Sequence, residues 1–235
     1  MVARVKGPVL AFFACLGALV VLVVLAYEFG PAESLDTKIL LNAGALPFTT
    51  TYETAHDFAR LADPLPLVAM SAGIVLLALS WGGKREAVAA LAVVVGANVT
   101  TQLLKGLLAH PRYQPYVETH QPWSDAFPSG HATAAASIAV ALVLATPRRW
   151  RVAAALVGAG FALAVGASVI VLQWHFASDV AGAYLVVACW GFAALAALRL
   201  SRPDDAGGGT RTHKPARAVD FESTAYANSA TPARG

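Results

Sequence analysis

Two histidines in this sequence have the surroundings that phosphoryl chemistry needs. His175 and Asp179 are four residues apart, which at a helix start puts them on one face. A carboxylate on one imidazole nitrogen fixes the tautomer and leaves the other nitrogen free to attack. His131 closes the run Pro128-Ser129-Gly130-His131. With an ordinary pKa of about 6.5, it can protonate a leaving alcohol and then activate water. Lys105 and Arg112 add positive charge, and an arginine grips two anionic oxygens at once. The Ser129 hydroxyl and the backbone N–H groups of Gly130 and His131 fall at a helix start, a natural anion site. Gly130 lets the backbone come close to the ligand. A phosphate monoester fits this set, with His175 as nucleophile and a phosphohistidine as intermediate. The sequence has no carboxylate cluster for Mg²⁺ and no Walker A loop, so no metal or other cofactor is expected.

The elements that must carry these residues are apolar. Hydrophobic residues make up 57% of the 235 residues and charged residues only 13%, against about 45–50% and about 25% in soluble domains. Six apolar runs approach the roughly 20 residues that span a bilayer: Pro8–Tyr27, Leu65–Trp81, Ala87–Leu104, Ala132–Thr146, Val152–Val171 and Val180–Leu200. The fourth is short and reaches spanning length only with Ser129 and His131 in its first turn. The first follows Arg4 and Lys6 but has no A-x-A cleavage site, so it reads as a retained helix. The expected fold is an all-α bundle of six transmembrane helices over residues 1–200, with 201–235 as a disordered cytoplasmic tail. Cys15 and Cys189 sit in apolar runs and read as buried thiols. The net charge of +3 forms no basic groove with interleaved aromatics, so nucleic acid is not an expected partner.

The basic residues set the orientation. Arg4 and Lys6, Lys84 and Arg85, Arg148, Arg149 and Arg151, and Arg199 and Arg202 flank alternate ends of the six runs. They put both termini in the cytoplasm of a plasma (cell inner) membrane. The segments 29–64, 106–128 and 172–179 then face outward, and part of the first reads as a helix lying along the surface. A charge inside a spanning helix costs about 2.5–3.5 kcal/mol, so polar clusters at helix ends need a reason. Lys105 to Arg112, Ser129 to His131, and His175 to Asp179 fall on the same outer side, where they can share one site. His56, His110 and His120 read as outer-surface residues.

With these residues assembled, the chain resembles the type 2 phosphatidic acid phosphatase (PAP2) superfamily, in its membrane lipid phosphatase branch. The family's three motifs, K-x6-R-P, P-S-G-H and S-R-x5-H-x3-D, read here as Lys105 to Arg112, Pro128-Ser129-Gly130-His131, and Ser168 to Asp179. The resemblance implies His175 as nucleophile, Asp179 as its partner and His131 as general acid. It also implies phosphate binding by Lys105, Arg112, Ser129 and Gly130. Tyr113 replaces the proline of the first motif, and Val169 replaces the phosphate-binding arginine of the third. One charge-assisted hydrogen bond is worth about 1.5–3 kcal/mol, so Val169 weakens or redirects catalysis unless another cation, such as Arg60, substitutes. The expected activity is metal-independent hydrolysis of a lipid phosphomonoester or diphosphate at the outer membrane face: phosphatidate, phosphatidylglycerol phosphate, or a polyprenyl phosphate or diphosphate. The alternative is a weakened or inactive homologue that binds phospholipid. The expected partners are the lipid substrate and the bilayer, with no protein partner implied.

Overall fold

A computed structural model describes residues 2–81, 83–109 and 126–201. All regular structure among them is helical: α1 (Val2–Glu28), α2 (Gly30–Ala43), α3 (Thr50–Arg60), α4 (Pro64–Ser80), α5 (Lys84–Leu107), α6 (Gly130–Ala145), α7 (Arg151–Val171) and α8 (Ala177–Leu200), with a 3₁₀ turn at Arg148–Trp150. Each of the six apolar runs is a helix, with both ends within six residues of those expected. The first outer segment is itself two helices, α2 and α3. Among the described residues, four helices are long and apolar enough to cross a bilayer, and a fifth span arises if α3 and α4, bent by 52° at their junction, count together. At 16 residues, α6 falls below that length.

Burial explains why so short an apolar helix belongs in the bundle. α6 is the central element and packs against α4, α5, α7 and α8. Its run Ala132-Thr133-Ala134-Ala135-Ala136-Ser137 is fully buried, because small side chains let neighbouring backbones come close. Polar links cross the same seams: the Thr101 and Thr133 hydroxyls meet at 2.9 Å, and Asn98 Nδ2 donates to Ser137 Oγ at 3.3 Å. The bundle is apolar on its outside too. Phe13, Val20, Leu76, Val88, Leu103 and Leu156 are all exposed, as expected of surfaces that face lipid.

The two ends of the bundle differ chemically. At one end Arg85 on α5 donates to the Ser201 carbonyl after α8, and Arg199 on α8 donates to the Arg4 carbonyl on α1 at 3.0 Å. The other end carries the C-terminus of α5 and the N-termini of α6 and α8, where Phe127 anchors the entry to α6. The Phe127 ring is buried to 1% exposure and lies over Gly182 of α8, where an added Cβ would come within 2.5 Å of it. We expect Gly182→Ala to destabilise the protein by about 1–3 kcal/mol through overpacking. Its thermal melting in detergent should fall accordingly, and an unchanged melting temperature would contradict this packing.

Candidate active site

His175 hangs from the C-terminal cap of α7. The Trp174 amide donates to the Val169 carbonyl at 3.0 Å and the Gln173 amide to the Ile170 carbonyl at 2.9 Å. This is the paired bonding of a Schellman cap, with Gln173 at φ 59° in the left-handed position that glycine usually takes. The Val169 carbonyl also accepts the His175 amide at 3.3 Å. The histidine thus enters the site from a fixed turn rather than a loose loop.

Asp179 ties this turn to the rest. It is completely buried in the first turn of α8, and its Oδ2 accepts the Phe176 amide at 2.9 Å. The same oxygen lies 3.4 Å from His175 Nδ1. That contact assigns the proton to Nδ1 and leaves Nε2 with its lone pair. The Asp179 carbonyl accepts the Ser129 amide at 3.1 Å, so one residue joins the α7–α8 turn to the start of α6. From α2, Asp36 Oδ1 accepts the Ser178 amide at 3.0 Å, placing a second carboxylate at the N-terminus of α8, where the helix dipole favours it.

Ser129 is fully buried and serves as the N-cap of α6: its Oγ accepts the Ala132 amide at 3.3 Å. Gly130 and His131 follow in the first turn, whose backbone N–H groups have no intrahelical partner. Along α5, Asn98, Gln102 and Lys105 share one face by helical spacing. These groups, with His175, line one cavity of about 450 Å³ whose remaining wall is Ala62, Pro64, Leu67 and Ala134. The Trp174 ring is tilted against His131 at 5.5 Å between centroids.

The structure therefore gathers His131, His175, Lys105 and Gly130 on one cavity, with Asp179 directly behind His175 and Ser129 behind Gly130. Arg112, Tyr113, His110, His120 and the 201–235 tail beyond Ser201 lie outside the described residues. Val169 is fully buried in an apolar cluster with Ala55 and Ala59 of α3 and Ala132 of α6. Arg60 is exposed at the end of α3 and is not among the residues lining the cavity. Residue-type reasoning missed two groups. Asp36 gave no sequence signal that set it apart from its neighbours. Asp63 comes within 3.4 Å of His131 Nε2, and its signal was Asp63-Pro64-Leu65-Pro66, an N-cap residue followed by prolines. Among the described residues, no group of three or more His, Cys, Asp or Glu is placed to hold a metal ion.

Residues 86–202 match the model of the PAP2 superfamily. The chain belongs to the PAP2 superfamily. The matched region covers α5 to α8, while α1 to α4 precede it. The PAP2 architecture extends further, since the fold is similar to the crystal structure of the first transmembrane PAP2 type phosphatidylglycerolphosphate phosphatase from Bacillus subtilis. The TM-score is 0.64 at 21% identity, covering 82% of this chain and 98% of that one. No curated protein matches the chain.

The third PAP2 motif's arginine position is thus not an open gap in this protein. α3 packs on α7, and its alanines lie in the cluster that encloses the Val169 side chain. Restoring the family residue alone should therefore fail. We expect Val169→Arg to cost about 3–5 kcal/mol by burying an unpaired cation and not to raise turnover. A stable Val169→Arg protein with increased phosphate release would show that α3 yields and that the position still serves the ligand.

Proposed function

We propose that this PAP2 protein is a membrane phosphatase that hydrolyses a lipid phosphomonoester or diphosphate through a phosphohistidine on His175. One observation carries the reading: His131 and His175 line a single cavity with Lys105 and Gly130, and Asp179 holds the far nitrogen of His175. In this mechanism His175 Nε2 attacks phosphorus. The bond from phosphorus to the ester oxygen breaks, and its electron pair stays on that oxygen, which takes a proton from His131. Water then attacks the phosphohistidine and gives a proton to His131. The N–P electron pair returns to Nε2 and inorganic phosphate leaves. Lys105, the α6 amides and Arg112 neutralise the phosphoryl oxygens, which is the electrostatic part of the catalysis.

In the arrangement we propose, α6 counts as a span and the α3–α4 pair as one, both termini are cytoplasmic and the cavity opens at the extracytoplasmic face. The Arg4, Arg85 and Arg199 contacts at the opposite end support this orientation. A headgroup phosphate can then enter the cavity while the lipid chain stays in the bilayer. The Bacillus protein of similar fold is a phosphatidylglycerolphosphate phosphatase, which makes phosphatidylglycerol phosphate one natural candidate, beside phosphatidate and the polyprenyl phosphates and diphosphates. The buried Val169 favours one rival, a homologue that binds phospholipid and turns it over slowly or not at all.

Phosphate release from a panel of these lipids in detergent separates the two readings. Wild type should release phosphate in the presence of EDTA and be inhibited by vanadate, a mimic of the pentacoordinate phosphorus. His175→Ala should lose at least about 1,000-fold in kcat. Binding without release from every lipid supports the rival, and a fully active His175→Ala refutes the mechanism. For orientation, Phe48→Cys should react with an impermeant maleimide in intact cells and Trp150→Cys should not, in a background lacking Cys15 and Cys189. The reverse labelling would invert the topology.

A further inference from the structure

The carboxylate at the α3–α4 bend belongs to the chemistry as well as to the fold. Asp63 is the N-cap residue of α4, a position where aspartate ordinarily accepts an amide of its own first turn. Here it makes no such bond. Pro64 and Pro66 explain this, because prolines at the first and third helical positions remove two of the nearby donors. The carboxylate turns instead to the ring of His131, with Oδ1 3.4 Å from Nε2. Its backbone is fixed for that purpose: the Ala62 amide donates to the Ala59 carbonyl at 2.9 Å and the Asp63 amide to the Arg60 carbonyl at 3.1 Å. Both alanines are buried.

The other groups facing His131 make this contact consequential. Lys105 on α5 and His175 on the α7–α8 turn line the same cavity, and each opposes a positive ring when charged. Trp174 covers one side of the ring without charge. Among the described residues, Asp63 is the carboxylate that reaches the His131 ring, and its negative charge opposes those of Lys105 and His175. At 3.4 Å the hydrogen bond is long, so a leaving oxygen can take the Nε2 proton while the negative charge stays beside the ring.

We infer that Asp63 is a positioning residue for His131, holding its ring aimed, with a negative charge beside Nε2, for protonation of the leaving alkoxide. The inference rests on the phosphatase reading above and adds to it a residue outside the region matched by the family model. It also gives the chain a second His–carboxylate pair, of opposite purpose to the first. Asp179 holds the proton on the far nitrogen of the nucleophile, whereas Asp63 stabilises the proton that His131 gives away.

Leaving-group dependence tests this, because a merely structural residue does not distinguish leaving groups. In single-turnover assays on the full-length protein in detergent, wild type and Asp63→Asn are compared on a short-chain alkyl phosphomonoester and on 4-nitrophenyl phosphate. The aryl oxygen departs without a proton and the alkyl oxygen does not. Asp63→Asn should lose about tenfold or more on the alkyl ester and stay within about twofold on the aryl ester, in the step that forms the phosphoenzyme. Asp63→Glu should recover most of the alkyl rate. Asp63→Ser, which keeps a capping oxygen and removes the charge, carries the same comparison if the Asn variant misfolds. Equal losses on both esters, or no loss on the alkyl ester, overturn the inference while wild-type activity still supports the phosphatase. A wild type that releases phosphate from neither these esters nor the lipid panel removes the phosphatase reading and this inference with it.

Discussion

Everything at the site end of the bundle depends on one buried carboxylate and its main chain. Asp179 has no exposure to solvent, so its charge must be met by donors or it would cost several kcal/mol. It is met by the Phe176 amide and the His175 ring, in a helix turn whose dipole also favours it. Its carbonyl receives the Ser129 amide, which brings the start of α6 to the start of α8. Two chain segments far apart in sequence are thereby held in register by the two ends of one residue.

The outer segment completes what the last four helices begin. α2 supplies Asp36 to the first turn of α8 and packs Leu40 against Phe176. α3 covers α7 with its alanine face, and the bend after it delivers Ala62 and Pro64 to the cavity and Asp63 to His131. The small alanines of α3 and the replacement of the family arginine by Val169 go together physically: a long cationic side chain at 169 would need the room that Ala55 and Ala59 close off.

Much of the helical layout was legible in the sequence, and the reason is the length of its apolar runs. The six apolar runs became helices because uninterrupted hydrophobicity of that length has few other ways to satisfy its backbone. The polar residues at their ends met because charge at those positions is costly without a purpose. The roles of Asp36 and Asp63 were less legible, because both act across the fold on partners distant in sequence. The 52° bend between α3 and α4 was not read either: it is marked by Asp63-Pro64, which reads locally as an ordinary helix start. Ser129 illustrates the opposite case, in which one residue type carries two readings. Its hydroxyl accepts the Ala132 amide as a cap, and that geometry is compatible with donating its own hydrogen to an anion.

The brevity of α6 has a consequence for the bilayer. Sixteen residues at a rise of about 1.5 Å each make a rod of about 24 Å, shorter than a hydrocarbon core of about 30 Å. Four neighbouring helices shield it from acyl chains, so this hydrophobic mismatch does not have to be relieved by thinning the membrane around α6 itself. In the proposed orientation its first turn, bearing Gly130 and His131, then lies below the headgroup plane. On the proposed phosphatase reading, a phosphate ester bound there sits with its ester oxygen toward the apolar layer, so the cleaved alcohol would stay in the oil while the freed anion departs toward water.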